Sequence, residues 1–198
     1  AIWFNKDGSF NLGFRKKKSK EIIDIEHCPV LAKSLSDLIL DLKQLIAQLK
    51  DKKAITHIQL FALSNGDAII FRVISAISDQ DKTILKAFSE QHSLQLLLEH
   101  NEQVFETIGD SQEQTLQQNG TLLEYSVENI RYQFLPNNFI QVNDQVNQQM
   151  LSQAIDWLDV QKTDLVLDLF SGVGNFTLPI AKKAKQVFAV EGVNSMVK

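Results

Sequence analysis

The sequence predicts two architectures in succession: an α+β domain over residues 1–135, then the first βαβ portion of a doubly wound α/β sheet over 136–198. Three observations carry this. Leu31, Leu35, Leu38, Leu42, Leu45 and Leu49 recur at three- and four-residue spacing, the mark of one long amphipathic helix. Around it, short strands and helices alternate without the regular rhythm of a parallel sheet. After Pro136, two apolar runs, Leu165–Phe170 and Gln186–Val190, flank a glycine-rich turn and a short helical stretch.

The elements follow in order. Phe10–Phe14 and Ile22–Ile25 form a hairpin around a basic cluster, and the leucine stripe predicts a helix over Val30–Lys50. Strands at Ile55–Leu63 and Ala68–Ile74 are joined through Asn65-Gly66, two residues that tolerate positive φ. Asp79 is placed to cap a helix ending near His92. Further strands are read at Leu94–Leu98, Val104–Ile108, Thr121–Tyr125 and Ile130–Phe134, with a polar, Gln-rich exposed loop over Asp110–Gly120. Beyond Pro136, Asn143 or Asp144 caps a helix to Leu158, with Val146, Met150, Ala154 and Trp157 on one face. Leu165–Phe170 reads as a strand buried on both faces, and Phe176–Lys183 as a helix with Pro179 in its first turn.

Composition bounds the function. At 198 residues, 44% hydrophobic and 22% charged, the chain can build one or two cores. No apolar run approaches the roughly 18 residues of a membrane span. No basic region followed by an apolar core opens the chain, so no secretory leader is expected. Cys28, the one cysteine, excludes an internal disulfide framework. A cytoplasmic protein is the expectation, with no membrane partner. The net charge of −4 counts against nucleic acid, whose affinity comes largely from cations meeting phosphates. Against that stands one dense basic cluster, Arg15, Lys16, Lys17, Lys18 and Lys20, which reads as a solvated turn or as a phosphate contact. Ala1 is not an initiator methionine and Lys198 follows closely on a strand, so both ends read as cuts within a longer chain. Two strands do not complete a doubly wound sheet; more chain is expected, with self-pairing through the sheet edge as the alternative.

The glycine-rich turn carries the chemistry. A strand ending in Asp168, then Gly172-x-Gly174 opening a helix, brings backbone close to a ligand. Glu191, at the end of the next strand, is placed to accept hydrogen bonds from a ribose diol. Together they suit an adenosine-containing cofactor. The dinucleotide fingerprint requires a third Gly or Ala where Thr177 stands, which speaks against NAD. Asp168, four residues before Gly172, instead resembles the acidic turn of class I (Rossmann-like) methyltransferases, whose cofactor carries a sulfonium cation and no pyrophosphate. A nearby carboxylate suits that cation.

The resemblance then narrows. Phe139-Ile140-Gln141-Val142-Asn143, Val146-Asn147, Trp157-Leu158, Val166 to Pro179 and Val190-Glu191-Gly192-Val193 resemble the bacterial uracil-5 RNA methyltransferases. The likeness is greatest to the 23S ribosomal RNA branch, since the transfer-RNA branch typically has Pro where Val142 stands. It extends upstream through Leu12-Gly13-Phe14-Arg15 and Cys28-Pro29-Val30-Leu31, with little from 51–120. It implies that Gln141, Phe170, Asn175 and Glu191 contact S-adenosylmethionine, with Phe170 packing on it and Glu191 holding its ribose. Local chemistry alone reads Gln141 and Asn175 as turn or cap residues. Ser171 stands where many relatives have cysteine.

The resemblance further implies that carbon 5 of a uridine is methylated after a cysteine thiolate adds to carbon 6, a general base then removing the 5-proton. Both groups lie in the family's C-terminal part, so no residue here is assigned a catalytic role and the chain by itself is expected to be inactive. In the 23S branch a Cys-Pro at this place supplies one of four ligands to a [4Fe–4S] cluster. Cys28 is thus the single ligand left, and no cluster is expected on this chain. By its residue type, a lone cysteine is a small buried hydrophobe. The implied partner is 23S ribosomal RNA. DNA cytosine methyltransferases share an Asp-Leu-Phe-x-Gly turn but place it near the start of their domain, so DNA is not expected. The rivals are another class I nucleic-acid methyltransferase, or a non-enzymatic RNA-positioning module over 10–135 whose basic cluster meets phosphates.

Overall fold

The computed structural model describes residues 1–101, 104–109, 123–127 and 129–197. The loop expected over 110–120 and the Thr121 strand start lie outside them. The chain forms two compact units, Ala1–Thr121 and Leu122–Lys198.

In the first unit, strands β1 (Ile2–Phe4), β2 (Phe10–Arg15) and β3 (Ile22–Asp24) form an antiparallel sheet in that order. β2 and β3 close very tightly at Gly13, where an added Cβ would stand 2.0 Å from the Ile23 carbonyl oxygen. Only a residue without a side chain fits there. Asp24 ties the sheet together: Oδ1 accepts from the Leu12 amide at 2.8 Å and Oδ2 from Lys43 Nζ at 2.7 Å. Lys43 lies on α1 (Lys33–Gln48), the helix the leucine stripe predicts. Leu35, Leu38, Leu42 and Leu45 of that stripe are buried in the main core. Each such leucine contributes about 1.5–3 kcal/mol by leaving water.

β4 (Ile55–Phe61), β5 (Ala68–Val73), β6 (Gln95–Asn101) and β7 (Val104–Ile108) form a mixed sheet in chain order. β5 and β6 are parallel, connected through α2 (Asp79–His92). This single crossover hides within otherwise antiparallel pairing. At the β4–β5 turn Gly66 takes positive φ and Asn65 does not, so only half of the expected turn conformation is used. Asp79 does not cap α2. Ser78 is the N-cap, without a side-chain hydrogen bond, and Asp79 is the first helical residue. The useful carboxylate lies two residues further in: Asp81, 1% exposed, accepts the Lys50 amide at 3.1 Å and the Asp51 amide at 2.7 Å. Asp51 in turn accepts the Ser78 amide at 2.9 Å. Those two carboxylates lock the segment after α1 to the start of α2.

The second unit begins with the antiparallel hairpin of β8 (Leu123–Val127) and β9 (Ile130–Phe134). This hairpin lies upstream of the change in character at Pro136, yet its contacts join it to the helix and sheet downstream, because Val127 and Tyr132 pack on Leu151. Leu151 belongs to α3 (Asp144–Leu158), capped as expected by Asn143, whose side chain accepts from the Val146 amide. The buried stripe of α3 is Asn147, Leu151 and Ile155. Val146 and Trp157 of the apolar face read from the sequence are instead exposed. The hairpin covers Leu151 of the neighbouring stripe and Ile155 packs on Ile180, while Asn147 makes that stripe less apolar by composition.

β10 (Leu165–Leu169) and β11 (Gln186–Val190) pair in parallel, connected through α4 (Thr177–Ala181): this is the expected βαβ. Val166 and Val187 pack toward Ile155 and Ile180. β10 is not buried on both faces. Leu165, Leu167 and Leu169, with Phe188 and Val190 in register on β11, are half-exposed. Among the described residues only one side of this pair is covered.

Candidate functional site

The turn between β10 and α4 needs unusual backbone conformations in quick succession. Phe170, Gly172 and Gly174 have φ of +60°, +56° and +89°. Glycine adopts these freely; a bulky aromatic does not, and such strain costs on the order of 1–3 kcal/mol. Phe170 nevertheless sits there 89% exposed. Solvent exposure repays nothing for that strain. An added Cβ on Gly172 would meet nothing within 4 Å, so the backbone is open to an incoming group.

Glu191 closes the turn from the end of β11. Its Oε2 accepts the Gly172 amide and its Oε1 the Val193 amide, both at 2.8 Å. These N–H groups, Val193's first and then Gly172's, hold its carboxyl below the ordinary carboxylate value. One lone pair on each oxygen remains for two adjacent hydroxyls. Asp168, half-buried on β10, accepts from the Thr177 hydroxyl. The residue that departs from the dinucleotide fingerprint thus pins α4 to the strand acid.

Asn175 turns toward α3. Its Oδ1 accepts from Asn147 Nδ2 at 3.0 Å and its Nδ2 donates to Asn147 Oδ1 at 2.8 Å. Its backbone carbonyl accepts from the Tyr132 hydroxyl at 3.3 Å. The Tyr132 ring is stacked on that of Tyr125, whose hydroxyl pKa is pushed up to about 12 by burial. Asp168, Gly172, Gly174, Asn175 and Glu191 therefore gather about one turn. Gln141 is exposed in the segment between β9 and α3, and among the described residues no hydrogen bond joins it to the turn. Sequence reasoning missed Asn147, Tyr132 and Thr177 as supports. The available signal was Asn147, the polar residue at the head of the i, i+4, i+8 stripe with Leu151 and Ile155.

Asn138 is a further buried support. Its Oδ1 accepts the Leu135 amide at 2.8 Å and its Nδ2 donates to Ser195 Oγ at 3.1 Å. It borders a cavity of about 190 Å³ that Val173 of the turn, Phe134 and Met196 also line.

Cys28 is buried in the first unit, its amide donating to Ser36 Oγ at 2.9 Å. Among the described residues no group of three or more His, Cys, Asp or Glu is placed to hold a metal ion. One sulfur does not fit the four-cysteine chemistry of an iron–sulfur cluster. No helix among the described residues is long and apolar enough to cross a membrane.

Known proteins match the whole chain. A family model described as tRNA (Uracil-5-)-methyltransferase matches residues 1–198. The 23S rRNA (uracil(1939)-C(5))-methyltransferase RlmD of Shewanella sediminis is 45% identical over 199 residues, covering 100% of this chain and 43% of that protein. The protein of the same name from Photobacterium profundum is 40% identical over 197 residues, covering 100% of this chain and 40% of its own length. The chain thus spans less than half the length of these curated relatives. Among solved structures, the Pyrococcus abyssi tRNA (uracil-54, C5)-methyltransferase in complex with S-adenosyl-L-homocysteine matches 99% of this chain and 49% of its own, with a TM-score of 0.65 at 17% identity. That likeness shows a shared fold.

Proposed function

The chain belongs to the tRNA (uracil-5-)-methyltransferase family, and from that premise we propose that its second unit holds S-adenosylmethionine for methylation of RNA. In the full-length protein the methyl group goes to carbon 5 of a uridine in 23S ribosomal RNA, position 1939 in the names of the 40–45% identical relatives. A ribosomal RNA substrate implies work in the cytoplasm.

The observation that carries this reading is the Glu191 carboxylate, fixed by the Gly172 and Val193 amides at the carboxyl end of β11. Ligands of open α/β sheets bind outside the carboxyl ends of their strands. A carboxylate held there with two lone pairs to spare suits a ribose diol. Gly172 and Gly174 let the backbone approach closely, and Phe170 offers an apolar ring to the cofactor. Asp168 supplies negative charge near a cationic sulfur. Gln141 and Asn175 are assigned to the cofactor on the family resemblance alone. When bound, the cofactor supplies an electrophilic methyl group. This chain's residues bind and orient it. Cys28 is buried and lies far in sequence from the turn, and by the resemblance it answers to the family's cluster ligand, so it is not assigned as the nucleophile.

The test is calorimetry of the full-length protein with S-adenosylhomocysteine, beside methylation of a 23S ribosomal RNA fragment. Glu191→Ala should weaken cofactor binding at least tenfold. Unchanged affinity in that variant would remove the site assignment.

A further inference from the structure

We propose that the β2–β3 hairpin is a prong that grips the phosphate backbone of RNA. The proposal rests on the reading of RNA as substrate and assigns that substrate a surface. Arg15 ends β2, and Lys16, Lys17, Lys18 and Lys20 fill the turn before β3. All five cations are exposed and lie together along one turn. Among the described residues Lys16 is the one of the five with an ion pair, to Glu21 at 3.2 Å, and that pair is mostly solvated. Four charges are thus left uncompensated at one tip of a chain whose net charge is −4. Such a local excess on an acidic background steers a polyanion to one place.

The backbone supplies a second, independent observation. Lys18 has φ of +56°, where glycine would sit without steric cost. A lysine kept in that conformation at an exposed turn tip points to use of its ammonium group. The prong is also firmly mounted. Lys16 and Glu21 close the turn with a backbone hydrogen bond of 2.9 Å, Gly13 lets β2 approach β3, and Asp24 binds Lys43 of α1. On the strands just below, Phe14 and Ile23 are cross-strand partners and half-exposed, an apolar step beside the cations. Aromatic and basic groups side by side suit sequence-tolerant binding of an RNA strand.

The experiment uses the full-length protein and a 23S ribosomal RNA fragment, with affinity read by fluorescence anisotropy across a series of KCl concentrations. Lys17→Ala/Lys18→Ala/Lys20→Ala should flatten the slope of log affinity against log salt by about 2, since each phosphate contact contributes roughly 0.7–0.9. Affinity at low salt should fall tenfold or more, while S-adenosylhomocysteine affinity stays unchanged. The corresponding triple arginine variant should keep both slope and affinity. Lys18→Gly, which relaxes the turn, should flatten the slope by about 1 and decides the matter if the triple alanine variant folds poorly. A wild-type slope in these variants overturns the proposal. So does a loss of binding to phosphatidylserine vesicles with RNA affinity intact, which would make the prong a membrane contact. Failure of the wild type to bind S-adenosylhomocysteine would count against the cofactor site and leave the RNA measurement to judge the prong.

Discussion

Asn147 and Asn175 hold each other through two reciprocal amide hydrogen bonds, of 3.0 and 2.8 Å, joining α3 to the glycine-rich turn. Asn147 is 2% exposed, so its amide cannot exchange its partner cheaply for water, while Asn175 is half-buried. Asn147→Leu strands the carboxamide of Asn175 and should cost about 1–3 kcal/mol in urea unfolding. Removing both partners is milder than removing one, because no polar group is left behind. The double variant Asn147→Leu/Asn175→Leu should therefore regain most of that stability. Cofactor affinity should stay low in the double variant; full recovery would show that Asn175 serves the fold alone.

Glu191 predicts a pH dependence. Its folded pKa lies below the ordinary 4.5, chiefly through the Val193 and Gly172 amides, which favour the ionised form. For an acid depressed on folding, the stabilisation is complete above the unfolded value and lost as pH falls through the folded one. Cofactor affinity should accordingly be level from about pH 8 to about 5 and fall only below the usual carboxylate range. Glu191→Gln should lower the plateau and abolish the acid limb, as calorimetry at several pH values would reveal. A limb that persists in the glutamine variant belongs to another group.

Gly13 predicts a steric cost. A methyl group there would lie 2.0 Å from the Ile23 carbonyl oxygen, and backbone cannot yield as a side chain can. Gly13→Ala should destabilise the first unit by about 1–3 kcal/mol, the range for overpacking. Thermal denaturation measures this, and a Tm equal to wild type would overturn the prediction.

Asp81 predicts a loss confined to one junction. Asp81→Ala deprives the Lys50 and Asp51 amides of their buried acceptor, at about 1–3 kcal/mol in all because both donors lie at the edge of the solvent. Hydrogen exchange should speed up at those two amides more than elsewhere in α1 or α2. Uniform acceleration across the unit would instead indicate a global effect.

The elements were largely legible in the sequence because periodicity and turn chemistry are local. The leucine stripe placed α1 and the run from Leu165 placed β10. What hydropathy could not reveal was which neighbouring stripe of α3 is buried. Asn147 is polar by type yet buried by virtue of Asn175, a partner 28 positions later. The same holds for Asp79 and Asp81: composition favours an acid near a helix start, but only the path of the chain after α1 selects Asp81. At the site, Gly172, Gly174 and Glu191 were legible because backbone geometry and strand-end position demand those residue types. Tyr132 and Thr177 were not, since hydroxyl donors leave no periodic trace.

The half-bare β10–β11 pair bears on how these 198 residues behave in a test tube. Leu165, Leu167, Leu169, Phe188 and Val190 form a greasy strip in water, and such strips attract one another more strongly when excluded salts are added. Ammonium sulfate should turn concentrated solutions turbid early, and light scattering should rise with concentration.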